Sequence, residues 1–152
     1  MNNCCIREMV KKLSWTLPES IQEEAIDGLV DLCIVKDVNL YDIFRETDKS
    51  TWINYCIVVE EVGSPKNVTA IPALLILLKD TNWPGSMEAL SLLLKFRKED
   101  LVPSVEKAIR AAFDEKDFIW LAGIKILVEK FGLTEDEFAE SSICNLLDFA
   151  DY

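Results

Sequence analysis

The chain has 152 residues, half of them apolar, and carries 27 acidic against 16 basic side chains for a net charge of −11. That length suits one domain burying roughly two-thirds of its unfolded surface; the apolar content excludes disorder, and five glycines with five prolines are too few for a turn-rich sandwich or barrel. So negative a surface repels phosphate backbones and anionic membranes, which argues against nucleic-acid and membrane partners and for a basic protein.

The first residues, MNNCCIREMVKKL, hold no long apolar run, so neither signal peptide nor anchor is expected there. The most apolar stretch, residues 71–78, is too short to span a bilayer, and the chain reads as cytoplasmic. Helical periodicity then dominates. Ile21, Ala25, Ile26, Leu29, Val30 and Leu32 keep the 3/4 spacing of one buried face, opposite Glu19, Gln22, Glu23 and Asp27, with Pro18 expected just inside the helix start. Val38, Leu40, Ile43 and Phe44 fit a short helix beginning near Asn39. A helix over 50–62 takes Ser50 or Thr51 as its cap and ends at Gly63 and Pro65.

Residues 67–79 are apolar nearly all round and are expected at the centre of the stack. Asp80, Thr81 and Asn82 break that helix and cap the next, which opens with Trp83-Pro84 and runs to about Phe96. A helix from Asp100 to about Glu115 carries Pro103 in its first turn, and another spans 118–131 before Gly132. Finally Thr134 and Glu137 match a capping box, predicting a helix through Phe138, Ile143, Leu146 and Leu147.

Tryptophans stand at 15, 52, 83 and 120, at intervals of 37, 31 and 37, each at a predicted helix start and the last three after a turn carrying Asp48, Asp80 or Asp117. One helix pair per period in the thirties is how a helical solenoid reads in sequence. Trp15, Trp52 and Trp120 are accordingly expected to fill the wedges between successive pairs. The expected fold is all-α, a HEAT/armadillo-like right-handed α-α superhelix of about four helix pairs forming one domain over 1–152, with 134–152 as an acidic C-terminal capping helix.

Residues 51–132 resemble an uncharacterised bacterial family of small HEAT-like domains. The resemblance rests on the helix carrying Trp52 and Cys56, on Ile71-Pro72-Ala73-Leu74-Leu75, and on the Asp-x-Asn-Trp-Pro turn formed by Asp80, Asn82, Trp83 and Pro84, with Trp120 where a later tryptophan is expected. It implies a HEAT-like fold and a bacterial cytoplasmic setting, and brings no activity with it.

Chemistry is sparse. The chain has no histidine, which removes Ser-His-Asp and Cys-His pairs, histidine general bases and His-bearing zinc sites, and it has no phosphate-binding glycine motif. Cys4, Cys5, Cys33, Cys56 and Cys144 are odd in number and lack a CxxC, so no disulfide framework or zinc site is expected; Cys33 and Cys56 read as core residues. No cofactor or metal is expected. The basic cluster Lys95, Arg97, Lys98, Lys107 and Arg110 is interrupted by Glu99, Asp100 and Glu106.

The strongest binding feature is the C-terminal stretch. Glu135, Asp136, Glu137, Glu140, Asp148 and Asp151 stand there with no basic residue, interleaved with Phe138, Phe149 and Tyr152. Aromatic anchors supply binding energy and charges supply steering, so this pattern suits a basic protein surface, and equally the polar outer face of a solenoid cap. The foremost reading is a non-catalytic protein-interaction module, in its specific form an immunity-type protein neutralising a basic toxin. The readings from other classes are an enzyme using carboxylates or a cysteine (Cys4 or Cys56) without histidine, and a subunit that only oligomerises.

Overall fold

The computed structural model describes residues 3–151, and every regular element among them is helical. No helix among them is long and apolar enough to cross a membrane. The chain forms two compact units, the first ending at Ala73 and the second beginning at Leu74, so the boundary falls inside a helix and not in a linker.

The first unit contains α1 (Asn3–Lys11), α2 (Glu19–Val35), α3 (Leu40–Phe44), α4 (Trp52–Val62) and the start of α5 (Ile71–Ile76). Helices α2 and α4 pack on one another. They bury Ala25, Ile26, Leu29 and Cys33 from one side and Tyr55, Cys56, Val58, Val59 and Val62 from the other. Burial places Cys33 and Cys56 as their apolar surroundings predict. Inside this core the Tyr55 hydroxyl donates to the Leu40 carbonyl at 2.8 Å, which removes the cost of enclosing a phenol. The same burial pushes its pKa well above the ordinary tyrosine value.

Local chemistry sets the helix ends. Asn39 caps α3, its Oδ1 accepting from the main-chain N–H groups of Tyr41 and Asp42. Pro18 lies one residue before α2, in extended backbone, and not inside it. The cap expected from Ser50 or Thr51 comes instead from Asp48, which forms a reciprocal box with Thr51 around a 3-10 turn, Lys49–Thr51, ahead of α4. Gly63, at φ 71°, closes α4 as predicted.

The second unit holds the end of α5, a 3-10 turn Leu77–Lys79, then α6 (Ser86–Leu93), α7 (Lys98–Asp114), α8 (Phe118–Phe131) and two 3-10 segments, Glu135–Glu137 and Ser141–Phe149. The segment expected as one helix over 67–79 is thus α-helical only at its centre, with 3-10 turns on both sides. Its apolar residues are buried as expected, Ile71, Leu74, Leu75, Leu77 and Leu78 among them. Helix α6 starts later than predicted: Gly85 adopts the left-handed φ of 86°, and Trp83 and Pro84 belong to the preceding turn. Helix α7 starts earlier, at Lys98, which leaves Pro103 beyond the first turn. Pro103 and Glu99, whose carbonyl it cannot serve, are both exposed, so solvent is available to that carbonyl. Helix α8 matches its predicted bounds, with Gly132 at φ 81° after its last turn.

The predicted C-terminal α-helix is not formed. Thr134 makes no side-chain cap, because Glu137 turns toward Lys98 and buried Phe138 draws the chain inward in extended backbone. The rest of the segment is 3-10 helix lying on α7 and α8.

Helix α8 is set against the 77–79 turn by its backbone. A Cβ at residue 123 would collide with the main-chain carbonyl of Leu78, so only glycine permits this approach. At Gly28 in α2 a Cβ would meet only the flexible end of Met9. Replacing Gly123 by Ala should therefore destabilise the protein by about 2 kcal/mol through overpacking against an unyielding backbone. Gly28→Ala should be neutral or stabilising by up to ~1 kcal/mol, since alanine is the better helix former. Urea unfolding of both variants checks the contrast, and equal effects would contradict it.

Candidate functional site

The Asp80–Pro84 turn is held by its own side chain and main chain. Asp80 Oδ1 accepts from the Asn82 N–H at 2.8 Å, and the Asp80 carbonyl accepts from the Trp83 N–H at 3.0 Å. Asp80 therefore closes the turn and does not cap the following helix, as sequence reasoning expected of Asp80 or Asn82. The turn borders a groove of about 380 Å³ lined by Asp80, Thr81, Asn82, Ile119, Ala122, Gly123, Ile126 and Asp151. Ile119, Ala122, Gly123 and Ile126 follow helical 3/4 spacing along one face of α8. The opposite face carries Trp120, Leu121, Ile124 and Leu127 into the core. On the first face Ala122 and Gly123 are also buried, Ile126 is half-buried and Ile119 is exposed; its signal in the sequence is an α8 that is apolar on both sides.

Two residues anchor α8 at this place. Asp117 Oδ1 caps it by accepting from the Trp120 N–H at 3.0 Å, and Trp120 Nε1 donates to the Leu75 carbonyl at 2.9 Å. The Lys79 ammonium lies over the Trp120 ring, 4.5 Å from its centroid. Trp120 is thus buried with its indole N–H satisfied. Trp52 is half-buried, its Nε1 donating to Thr47 Oγ1 at 3.0 Å and its ring stacked with Phe44. Trp83 is half-buried within the turn. Trp15 packs least, at 51 % exposure, although its main-chain N–H donates to the Ser50 carbonyl.

The acidic C-terminal residues divide into two groups. Glu137 Oε1 pairs with the Lys98 ammonium at 2.9 Å, and Glu140 Oε2 with the Arg110 guanidinium at 2.6 Å. Glu140 also presents its main-chain N–H to Glu106 and its Oε1 to the Ser142 hydroxyl. These two carboxylates strap the segment to α7, and Phe138 is buried beneath it. Glu135, Asp136, Asp148 and Asp151 are exposed. Tyr152 lies outside the described residues. Phe149 is 54 % exposed and lies edge-on to Phe113 and stacked on Phe118, with centroids 5.2 and 6.1 Å away. The Asp151 N–H donates to the Phe118 carbonyl at 3.0 Å, which brings the end of the chain alongside the start of α8, where Ile119 is 61 % exposed. Exposed acids and exposed apolar side chains therefore meet at one place, and the turn motif and C-terminal residues, read separately in the sequence, both contribute to it.

The basic cluster is largely consumed by internal pairing: Arg97 with Asp100, Lys98 with Glu137 and Arg110 with Glu140. Cys4 and Cys5 are exposed; burial pushes the Cys33 thiol up to about 11 and raises that of Cys144. Among the described residues no cluster of three Cys, Asp or Glu side chains has the arrangement of a metal site. Comparison with models of protein families, with curated proteins and with solved structures gives no match.

The strap has a pH signature. Hydrogen bonds from Arg110 and Ser142, then the Arg110 charge, hold the Glu140 carboxyl below the usual glutamate range. A depressed carboxylate adds stability above its unfolded pKa, about 4.3, and that contribution fades as pH falls through the folded value. NMR titration of the Glu140 side-chain carbon should give a pKa below that of an ordinary glutamate, and Arg110→Gln should return it toward the ordinary value. An unchanged titration in the variant would show that the pair does not form in solution.

Proposed function

We propose that the chain is a non-catalytic HEAT-like module of a bacterial cytoplasm that binds a basic protein, its specific form being an immunity-type protein that neutralises a basic toxin. The observation carrying this reading is that exposed Ile119 and Phe149 lie near exposed Asp148 and Asp151, the last bonded through its main-chain N–H to the Phe118 carbonyl, on a chain of net charge −11. Apolar and aromatic anchors supply binding energy once desolvated, while the surrounding charge selects and steers a basic partner. The HEAT-like part is supported by the recurring turn before Trp52, Trp83 and Trp120, where Asp48, Asp80 and Asp117 each accept a main-chain N–H. The partner-facing acids are Glu135, Asp136, Asp148 and Asp151, since Glu137 and Glu140 are engaged within the chain.

Affinity capture from the native cell, run in parallel with wild type and with a variant carrying Glu135→Gln, Asp136→Asn, Asp148→Asn and Asp151→Asn, tests the reading. Wild type should retain a strongly basic protein at low salt and release it near ~0.5 M, where screening acts within a few ångströms. The variant should lose at least tenfold in affinity. A partner held equally by both proteins and indifferent to salt would sink the proposal.

A further inference from the structure

The groove beside α8 has a more specific chemistry than general acidity, and resting on the basic-partner reading above, we infer that it is a socket for one arginine side chain of that partner. Its α8 side offers the exposed Ile119 and the half-buried Ile126 as apolar surface to an aliphatic stem. Its lining includes two aspartates, Asp80 from the turn and Asp151 from beyond the last 3-10 segment. The Asp80 carboxylate is held by the Asn82 N–H on its Oδ1 at 2.8 Å, and the Asp151 main chain by its own N–H on the Phe118 carbonyl at 3.0 Å. Among the described residues neither carboxylate forms an ion pair, and the adjacent cation, Lys79, has its ammonium on the Trp120 ring instead. Thr81 and Asn82 complete the rim with exposed polar groups suited to the peptide backbone around the inserted residue.

The volume, about 380 Å³, fits a single long side chain with its flanking backbone better than a docked helix. Arginine matches more closely than lysine. Its planar, weakly hydrated guanidinium lies readily on apolar surface and offers donors along several edges, so that two separate carboxylates are met at once. A lysine ammonium is a compact, strongly hydrated point charge that gains less from an apolar floor.

The test is an amide NMR titration of the full chain with acetyl-Gly-Arg-Gly-amide, with the citrulline peptide of the same shape as neutral control and a ten-arginine peptide as a multivalent probe. The arginine tripeptide should shift the amides of 80–82, 119–126 and 151 saturably, and the citrulline peptide should not. The Asp80→Asn, Asp151→Asn double variant should bind at least tenfold more weakly while keeping its spectrum elsewhere, since asparagine retains the oxygen that accepts from Asn82. Shifts gathered instead around 135, 136 and 148 with the groove amides still would overturn the socket while leaving the basic-partner reading standing. Equal binding of the citrulline peptide, or wild-type affinity in the double variant, would also overturn it. If even the ten-arginine peptide moved no amide, both readings would fall.

Discussion

Helix α8 approaches the carbonyl of Leu78 across a gap that no side chain can share, and residue 123 is glycine for that reason. Trp120 pins the same stretch from one turn earlier, its indole N–H spent on the Leu75 carbonyl, which lies in a buried and strongly apolar segment. Buried main-chain carbonyls are costly to leave unpaired, so the indole bond is also an accounting requirement of the 3-10 turn that follows. The consequence is positional. With α8 held this close, the Asp80–Asn82 turn borders the helix's outer face, and the chain end reaches the Phe118 carbonyl from the other side. The groove is what lies between them.

Charge is distributed in a way that the net value conceals. Some of the acid excess is structural: Glu137 and Glu140 fasten the C-terminal segment to Lys98 and Arg110, and Asp100 holds Arg97. Such exposed pairs contribute modestly to stability, but they neutralise three members of the basic cluster, Arg97, Lys98 and Arg110. Asp48, Asp80 and Asp117 are turn formers, each holding a main-chain N–H. The exposed apolar side chains Phe149 and Ile119 lie near the exposed Asp148 and Asp151, with Lys116 the nearby basic residue in sequence.

Much of the helical pattern is legible from residue spacing, because a 3.6-residue period in apolar positions needs no knowledge of partners. Helix α8 and the start of α3 near Asn39 are of that kind, and the glycines that close α4 and α8 are legible from their own conformational freedom. The errors arise where competing side-chain bonds decide. Thr134 and Glu137 have the letters of a capping box, yet Glu137 has Lys98 within reach, 39 positions away, and takes it. Ser50 and Thr51 are good caps on propensity, but the cap is Asp48, with Thr51 as the other half of its reciprocal box. Gly85 delays α6 because the Asp80 turn needs a left-handed residue to enter the helix. The candidate site was visible only as two separate fragments, the Asp-x-Asn-Trp-Pro turn and the acidic tail. The α8 face that joins them is apolar and reads as core; in the fold Ala122 and Gly123 are buried, Ile126 is half-buried and only Ile119 is exposed.

The dependence of the groove on the α8 anchor is measured most directly by native-state hydrogen exchange on wild type and Trp120→Phe, which keeps an aromatic ring, though a smaller one, and deletes the indole donor. The account predicts that exchange quickens together at α8, in the 80–82 turn and at the Asp151 amide, since all three are placed by the same contact. Acceleration confined to the turn of helix around residue 120, with the 80–82 and 151 amides unchanged, would contradict it.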